Sequence, residues 1–257
     1  MGEQESLFGW HVVREALSAR QRKFGRLLVA ADLRGPEVEA LATLAQQAGV
    51  PLEPVKRGAI AARAGPGVRS QGVLLEAGPI PERTLAALRG GQPGRRRLVA
   101  LDGVEDPQNL GAIARVAEAA GAQGLVLTRH RSPPLSAAVA RASAGAIEHL
   151  PVARVTNLPR ALEELQRDGF WTLGADPGTG DELFAAPERV FQGDLVVVLG
   201  AEGKGLRPGV EARLDHRLRI PMEGRIASLN VSAAAAVLLF EILRRSRPWA
   251  SHGSPPQ

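Results

Sequence analysis

Three short stretches gather the polar, charged and glycine residues from which a reactive site could be built. The first reads Asp102-Gly103-Val104-Glu105-Asp106-Pro107-Gln108-Asn109-Leu110-Gly111-Ala112, with Arg115 just beyond. Asn109 suits a helix N-cap. Arg115 then falls one to two turns into that helix, off its apolar stripe of Ile113, Val116, Ala117 and Ala120. A guanidinium so placed can grip an anion or an oxygen that gains charge. The second stretch is Gly200-Ala201-Glu202-Gly203-Lys204-Gly205-Leu206, where three glycines in six residues let the backbone fold tightly and approach a ligand. Lys204 is followed by Gly205 rather than Ser or Thr, so this is no Walker loop, and its glycine order is not the dinucleotide fingerprint. Glu202 would repel a phosphate and suits a ligand with hydroxyls or a positive centre. The third stretch is Pro221-Met222-Glu223-Gly224-Arg225-Ile226-Ala227-Ser228-Leu229-Asn230-Val231-Ser232. There Ser228 reads as the N-cap of a final helix and Asn230 as a residue of its first turn. Each stretch also has a purely structural reading: a capped helix with a solvent-facing arginine, a sharp turn, and a capped core helix.

Each stretch follows a short run of strand type. The runs are Leu98–Leu101, Leu195–Leu199 and His216–Ile220, and the sequence places further strands at Leu125–Leu127, Val152–Val155 and Trp171–Gly174. Helical patterns separate them at Asn109–Ala120, Leu135–Ile147, Leu158–Arg167 and from about Ser228 to Arg245. Continuous apolar strands alternating with helices predict an α/β fold with a parallel sheet covered on both faces. In such sheets ligands bind beyond the carboxyl ends of the strands, where all three stretches fall. Before residue 79 a smaller α/β unit is expected: helical spacing at Trp10, Val13 and Leu17, strands at Arg26–Ala30 and Gln71–Glu76, and a helix at Pro36–Ala48. Residues 79–97, rich in Pro, Gly and Arg, read as a basic linker, and residues 248–257 as a disordered tail.

The 257 residues include 32 Lys and Arg against 27 Asp and Glu, no Cys and no Tyr, and 44% are apolar. That apolar fraction is globular rather than disordered. Absence of Cys excludes disulfides, thiolate zinc sites and iron–sulfur clusters. The acidic opening Met1-Gly2-Glu3-Gln4-Glu5 lacks the apolar region of a signal peptide, and no apolar run approaches the ~18 residues of a membrane span, so a soluble cytoplasmic protein is expected. Residues 1–78 carry a net charge of +2, residues 79–97 carry +4 and the remainder −1. A nucleic-acid contact is therefore expected first in the amino-terminal part, with Arg69, Arg95, Arg96 and Arg97 as candidates.

Taken together, Asp106–Ala112 with Arg115, Leu199–Gly205, and Ile220–Met222 with Ser228–Ser232 resemble the three motifs of the SpoU/TrmH family of RNA ribose 2′-O-methyltransferases, in the SPOUT (α/β-knot) superfamily. Leu7–Leu17 and Arg69–Val73 resemble the opening and the final strand of that family's L30e-like RNA-binding domain. Many members have His where this chain has Ser70. The resemblance spans nearly the whole chain and is nearest to the large-subunit (23S) rRNA guanosine enzymes. It implies an L30e-like domain at residues 1–78 and, at residues 98–247, a SPOUT methyltransferase domain tied in a deep trefoil knot, with no metal. It implies a homodimer whose active site is shared between protomers. It also implies S-adenosylmethionine as cofactor, bound beside Gly200, Ile220 and Leu229, with Met222, Gly205 and Thr128 in the same pocket.

In this family the residue matching Arg115 is the key catalytic one. A free arginine cannot act as a base at neutral pH, because its pKa exceeds about 12. Either nearby cationic charge depresses it, or it stays charged and stabilises the developing alkoxide while a phosphate oxygen or water takes the proton. Asn109, Glu202, Ser228 and Asn230 complete the expected catalytic set. Competing readings are a tRNA ribose methyltransferase, a resistance methyltransferase acting on another rRNA nucleotide, and a non-catalytic RNA-binding assembly protein. A nucleotide-dependent oxidoreductase is disfavoured by the missing fingerprint.

Overall fold

Two sheets, built from different kinds of strand, carry the chain. The computed structural model describes residues 4–176, 178–201 and 203–246; the tail 248–257 and the candidate Glu202 lie outside the described residues. The first unit runs β1 (Glu5–Phe8), α1 (Trp10–Ala19), β2 (Phe24–Ala30), α2 (Pro36–Gln47), β3 (Leu52–Val55), α3 (Arg57–Ala64) and β4 (Val73–Ala77). Its sheet has the order β1-β4-β2-β3, with β4 antiparallel to both neighbours and β2 parallel to β3. Helix α1 begins after Gly9, at φ 90°, and the backbone N–H of Trp10 donates to the Gln71 side chain at 3.1 Å. The turn before β4 thus closes the first helix. Strand β1, strand β3 and helix α3 carry no sequence signal: β3 is short, half-exposed and contains Pro54.

The second unit runs β5 (Glu82–Arg83), β6 (Arg97–Asp102), α4 (Pro107–Ala119), β7 (Gly124–Thr128), α5 (Ala137–Ala142), β8 (Val152–Val155), α6 (Leu158–Arg167), β9 (Phe170–Ala175), β10 (Asp181–Glu182), β11 (Asp194–Gly200), α7 (Pro208–Glu211), β12 (His216–Arg219) and α8 (Val231–Ser246). Its eight strands are ordered β10-β12-β9-β11-β6-β7-β8-β5, and every pairing is parallel. The alternation inside the central strands explains the two covering layers. Val99, Leu101, Leu125, Leu127, Val197 and Leu199 face a cluster with residues of α4, α5 and α8. Leu98, Ala100, Val126, Val196 and Val198 face Leu158, Leu162 and Leu165 of α6 and Val210 of α7. The first cluster continues into Leu7, Val13, Leu27 and Leu75, so one apolar core runs through both units.

Three expected elements are corrected. The helix read over Leu135–Ile147 stops at Ala142, because Ala144 and Gly145 turn to φ 51° and 89°, and resumes as one tight turn at Ala146–Glu148. Helix α4 starts at Pro107 rather than Asn109: Asp106 is its N-cap, accepting from the Gln108 N–H at 3.0 Å. Helix α8 starts at Val231 rather than near Ser228, and Asn230 serves as its cap, accepting from the Ser232 N–H at 2.9 Å. Within residues 79–97, β5 pairs with β8, and Leu88 of a tight turn at Ala86–Arg89 is buried in the second layer.

Candidate functional site

The carboxyl ends of β6 and β11 stand side by side, Asp102 opposite Gly200. From β6 the chain builds β7 and β8 on one side, then crosses to β9, and β11 returns to fill the gap. This is the reversal of strand order at which open parallel sheets form crevices. All three chemical stretches leave the sheet at this edge.

The glycine stretch folds back on itself: Ala201 and Gly205 exchange backbone hydrogen bonds of 3.1 and 2.9 Å, and Gly203 and Gly205 have φ of 73° and 64°. A Cβ on Gly200 would lie 2.3 Å from the Gly205 carbonyl carbon, so only glycine permits this fold. Beneath it lies a cavity of about 170 Å³. Gly200, Ala201, Gly203 and Gly205 form one wall; Leu199, Leu218, Ile220, Met222 and Leu229 form the apolar remainder. Backbone polar groups on one side and apolar side chains on the other suit a flat heteroaromatic ring with a polar edge. Asp176, after β9, also lines the cavity; a hydrogen bond from the Thr179 hydroxyl and the N–H groups of Gly178 and Thr179 hold its carboxyl below the usual range, so it stays ionised. Asp176 and Leu218 were missed by sequence reasoning, since only the pairing of β9 with β12 brings them here.

A second cavity of about 510 Å³ adjoins the first and shares Ala201 and Gly205 with it. Asp102, Glu105, Asp106, Asn109, Arg131, Lys204 and Arg207 line it. The Asn230 side-chain amide donates to Asn109 Oδ1 at 3.1 Å, and Asn230 Oδ1 accepts from the Ser232 hydroxyl at 2.7 Å. The first and third stretches, 121 residues apart, therefore meet through one hydrogen bond. Ser228 is exposed and lines the first cavity.

Other candidates fall elsewhere. Arg115 is exposed on α4 and lines neither cavity. Thr128 is buried at the end of β7, where its hydroxyl contacts the His130 carbonyl and the Ser132 hydroxyl, away from the first cavity. Arg95, Arg96 and Arg97 lie at the amino end of β6, opposite the site. Arg96 pairs with Asp194 at 2.6 Å and stacks over Phe170, and the hydrogen bond to Asp194 strengthens its charged form. Arg97 donates to the Gly193 carbonyl, and burial pulls its guanidinium below the usual arginine range. Arg95 and Arg69 are exposed. Among the described residues no group of His, Cys, Asp and Glu could hold a metal, and no helix is long and apolar enough to cross a membrane.

Comparison with known proteins accords with this arrangement. Residues 96–240 match the SpoU rRNA Methylase family, and residues 6–82 match the RNA 2′-O ribose methyltransferase substrate binding family. The 23S rRNA (guanosine-2′-O-)-methyltransferase RlmB of Pseudomonas aeruginosa is 38% identical, covering 96% of this chain and 99% of that protein. The protein of the same name from Ralstonia nicotianae is 37% identical, over 95% and 97%. The AdoMet-bound rRNA methyltransferase structure from Sinorhizobium meliloti superimposes with a TM-score of 0.76 at 27% identity, over 94% of this chain and 87% of that one.

Proposed function

This chain belongs to the SpoU rRNA methylase family, and we propose from that premise that it transfers a methyl group from S-adenosylmethionine to the ribose 2′-oxygen of a guanosine in 23S rRNA, as the names of its full-length relatives state for them. The observation that carries the reading is the glycine-walled cavity sharing Ala201, Gly205 and Val231 with a larger polar cavity beside it, where Asn109 is held by Asn230. The first fits the cofactor: Gly200 and Gly205 leave backbone groups within reach, and Ile220, Met222 and Leu229 flank a ring. When bound, the cofactor supplies an electrophilic methyl on a sulfonium centre.

The residues of the chain do the rest. A ribose hydroxyl attacks poorly until its proton leaves, so charge must be stabilised on its oxygen. Arg115, kept charged, grips the ribose or an adjoining phosphate with its planar fork, and a phosphate oxygen or water takes the proton. Asn109, oriented by Asn230, directs the hydroxyl; Ser228 orders the substrate side of the cavity mouth. Glu202, from the glycine stretch, contacts the ribose. Arg115 lies on the exposed face of α4, outside both cavities of its own chain. That position supports a homodimer in which it completes the partner's site.

The first unit, an L30e-like fold on this reading, grips the RNA, supported by the substrate-binding match over residues 6–82. On this reading the second unit is knotted, as in the family it belongs to; β12 lying beyond β9, with the chain then returning to pack α8 against α4, supports this. Such threading is rare and would shape the cofactor cavity. The chain works in the cytoplasm, where rRNA is made. The test is transfer of labelled methyl from the cofactor to unmodified 23S rRNA, followed by mapping of the modified ribose. Label on one guanosine ribose is expected; label entering tRNA alone, or none, overturns the reading.

A further inference from the structure

Asp102 has no part in the chemistry above, yet its carboxylate is wholly committed. It ends β6, stands opposite Gly200, and its side chain has no exposed surface. Oδ2 accepts from the Arg207 backbone N–H at 2.9 Å, and Oδ1 accepts from Arg207 Nε at 2.7 Å with Nη2 at 2.5 Å. A buried carboxylate persists only with charge-assisted partners of this kind. Here they all come from one residue, the one at which the glycine loop ends.

Among the described residues of that loop, Ala201 and Gly205 exchange backbone hydrogen bonds and Leu206 packs against the α6 layer, while the turn between them, Gly203, Lys204 and Gly205, is exposed. An exposed loop with few packed side chains opens readily. It is also a wall with two sides, since Ala201 and Gly205 line both cavities. Arg207 is 46% exposed, so nearly half of its side chain meets water, and the buried oxygens of Asp102 supply the fixed end of the contact.

We propose that Asp102 is a positioning residue for the cofactor: acting through Arg207, it pins the glycine loop so that its backbone groups stand at a fixed height over the cofactor cavity. The inference rests on the reading of that cavity as the S-adenosylmethionine site. An amide at this position keeps the volume and one acceptor oxygen but turns an N–H₂ toward donors. The loop loses its anchor while the sheet keeps its packing.

The test uses the full-length chain with Asp102→Asn, Arg207→Ala and Arg207→Lys. Cofactor affinity is measured by calorimetry, RNA affinity by filter binding, and KM and kcat by labelled methyl transfer. Loss of a charge-assisted hydrogen bond predicts about tenfold weaker cofactor binding in Asp102→Asn. KM for the cofactor rises by that factor and kcat at saturation falls less. RNA affinity stays within about twofold, which general destabilisation would not spare. Arg207→Ala keeps the backbone N–H but strands the buried carboxylate and loses at least as much; Arg207→Lys lies between it and the parent. Parental cofactor affinity in Asp102→Asn, or equal losses of cofactor and RNA affinity, overturns the inference. Should Asp102→Asn not fold, Arg207→Lys decides by the same readings, because it keeps a cation beside the buried carboxylate. A parent chain that binds no cofactor would overturn the reading of the cavity instead.

Discussion

At the scale of single residues, the site divides into groups that hold the chain and groups left over for chemistry. On the proposed mechanism Arg115 belongs to the second kind. Arg115→Ala is expected to keep cofactor affinity in calorimetry and to lose methyl transfer by at least about 100-fold in single-turnover assays. Arg115→Lys should fail nearly as badly, because an ammonium cannot reproduce the planar fork. Asn230 belongs to both kinds: its Oδ1 caps α8 and its Nδ2 holds Asn109. Asn230→Asp preserves the cap and removes the donor, so the melting temperature should hold while kcat falls. Asn230→Ala loses the cap as well, at a further cost of about 1 kcal/mol in urea denaturation. Arg115 and Thr128 line neither cavity; Asn109, Asn230 and the clustered glycines, which stand out after strands, were legible as candidates that one sheet edge gathers. The division of labour was not. Asn109 and Asn230 were each read separately, as a cap and a first-turn residue, and their hydrogen bond depends on a pairing across 121 positions that no local pattern encodes.

Elements are fixed by packing contacts as close as those at the site. A Cβ on Gly111 of α4 would fall 2.3 Å from Ala142 Cβ and 2.9 Å from the Ala142 carbonyl carbon, so α4 and α5 meet nearly backbone to backbone. Gly111→Ala should therefore lower stability by about 1–3 kcal/mol in urea denaturation, although alanine ordinarily favours a helix. Along α8, Val231, Ala235, Leu238, Leu239 and Ile242 are buried at helical spacing. Glu241 shares that burial because hydrogen bonds from Arg244 and Arg245 surround it. The hydrogen bond from Arg244 leads the causes that hold the Glu241 carboxyl below its ordinary 4.5. A depressed folded-state value means the stabilisation is present above pH 4.5 and disappears as pH falls through the depressed value. Melting of Glu241→Gln should accordingly show a shallower acid limb than the parent. Helices and central strands were legible from periodicity and apolar runs. Strand β1, strand β3 and the short edge strands were not, because they are formed by their neighbours rather than by their own composition. Strand order was equally hidden: β11 is a plain apolar run, and only the assembled sheet sets it beside β6.

For the whole molecule, the decisive contact is a buried ion pair between the units. Arg22, in the loop between α1 and β2, donates to both carboxylate oxygens of Glu148 at 2.8 and 2.7 Å and to the Gly78 carbonyl at 3.1 Å. Both side chains are fully buried, and burial pushes the Glu148 carboxyl upward against the pull of Arg22. Arg22→Ala strands a buried carboxylate and should cost about 3–5 kcal/mol in urea denaturation, whereas Arg22→Met paired with Glu148→Leu should recover most of it. The charge map also changes once folded. The amino-terminal surplus read from the sequence includes Arg96, held by Asp194, and Arg22, held by Glu148. If the exposed Arg69 and Arg95 hold RNA as proposed, neutralising each should lower the salt slope of RNA binding by about 1; Arg96→Gln should instead lower the melting temperature.

The join at Arg22 and Glu148 has a geometric consequence. Units on a slack tether sample many separations, and whatever one holds reaches the other at a concentration set by the tether. Units locked by a buried pair and a shared core have one separation. With RNA held by the first unit, the chain becomes a calliper: the nucleotide that reacts is the one whose distance from the grip matches the span of the jaws.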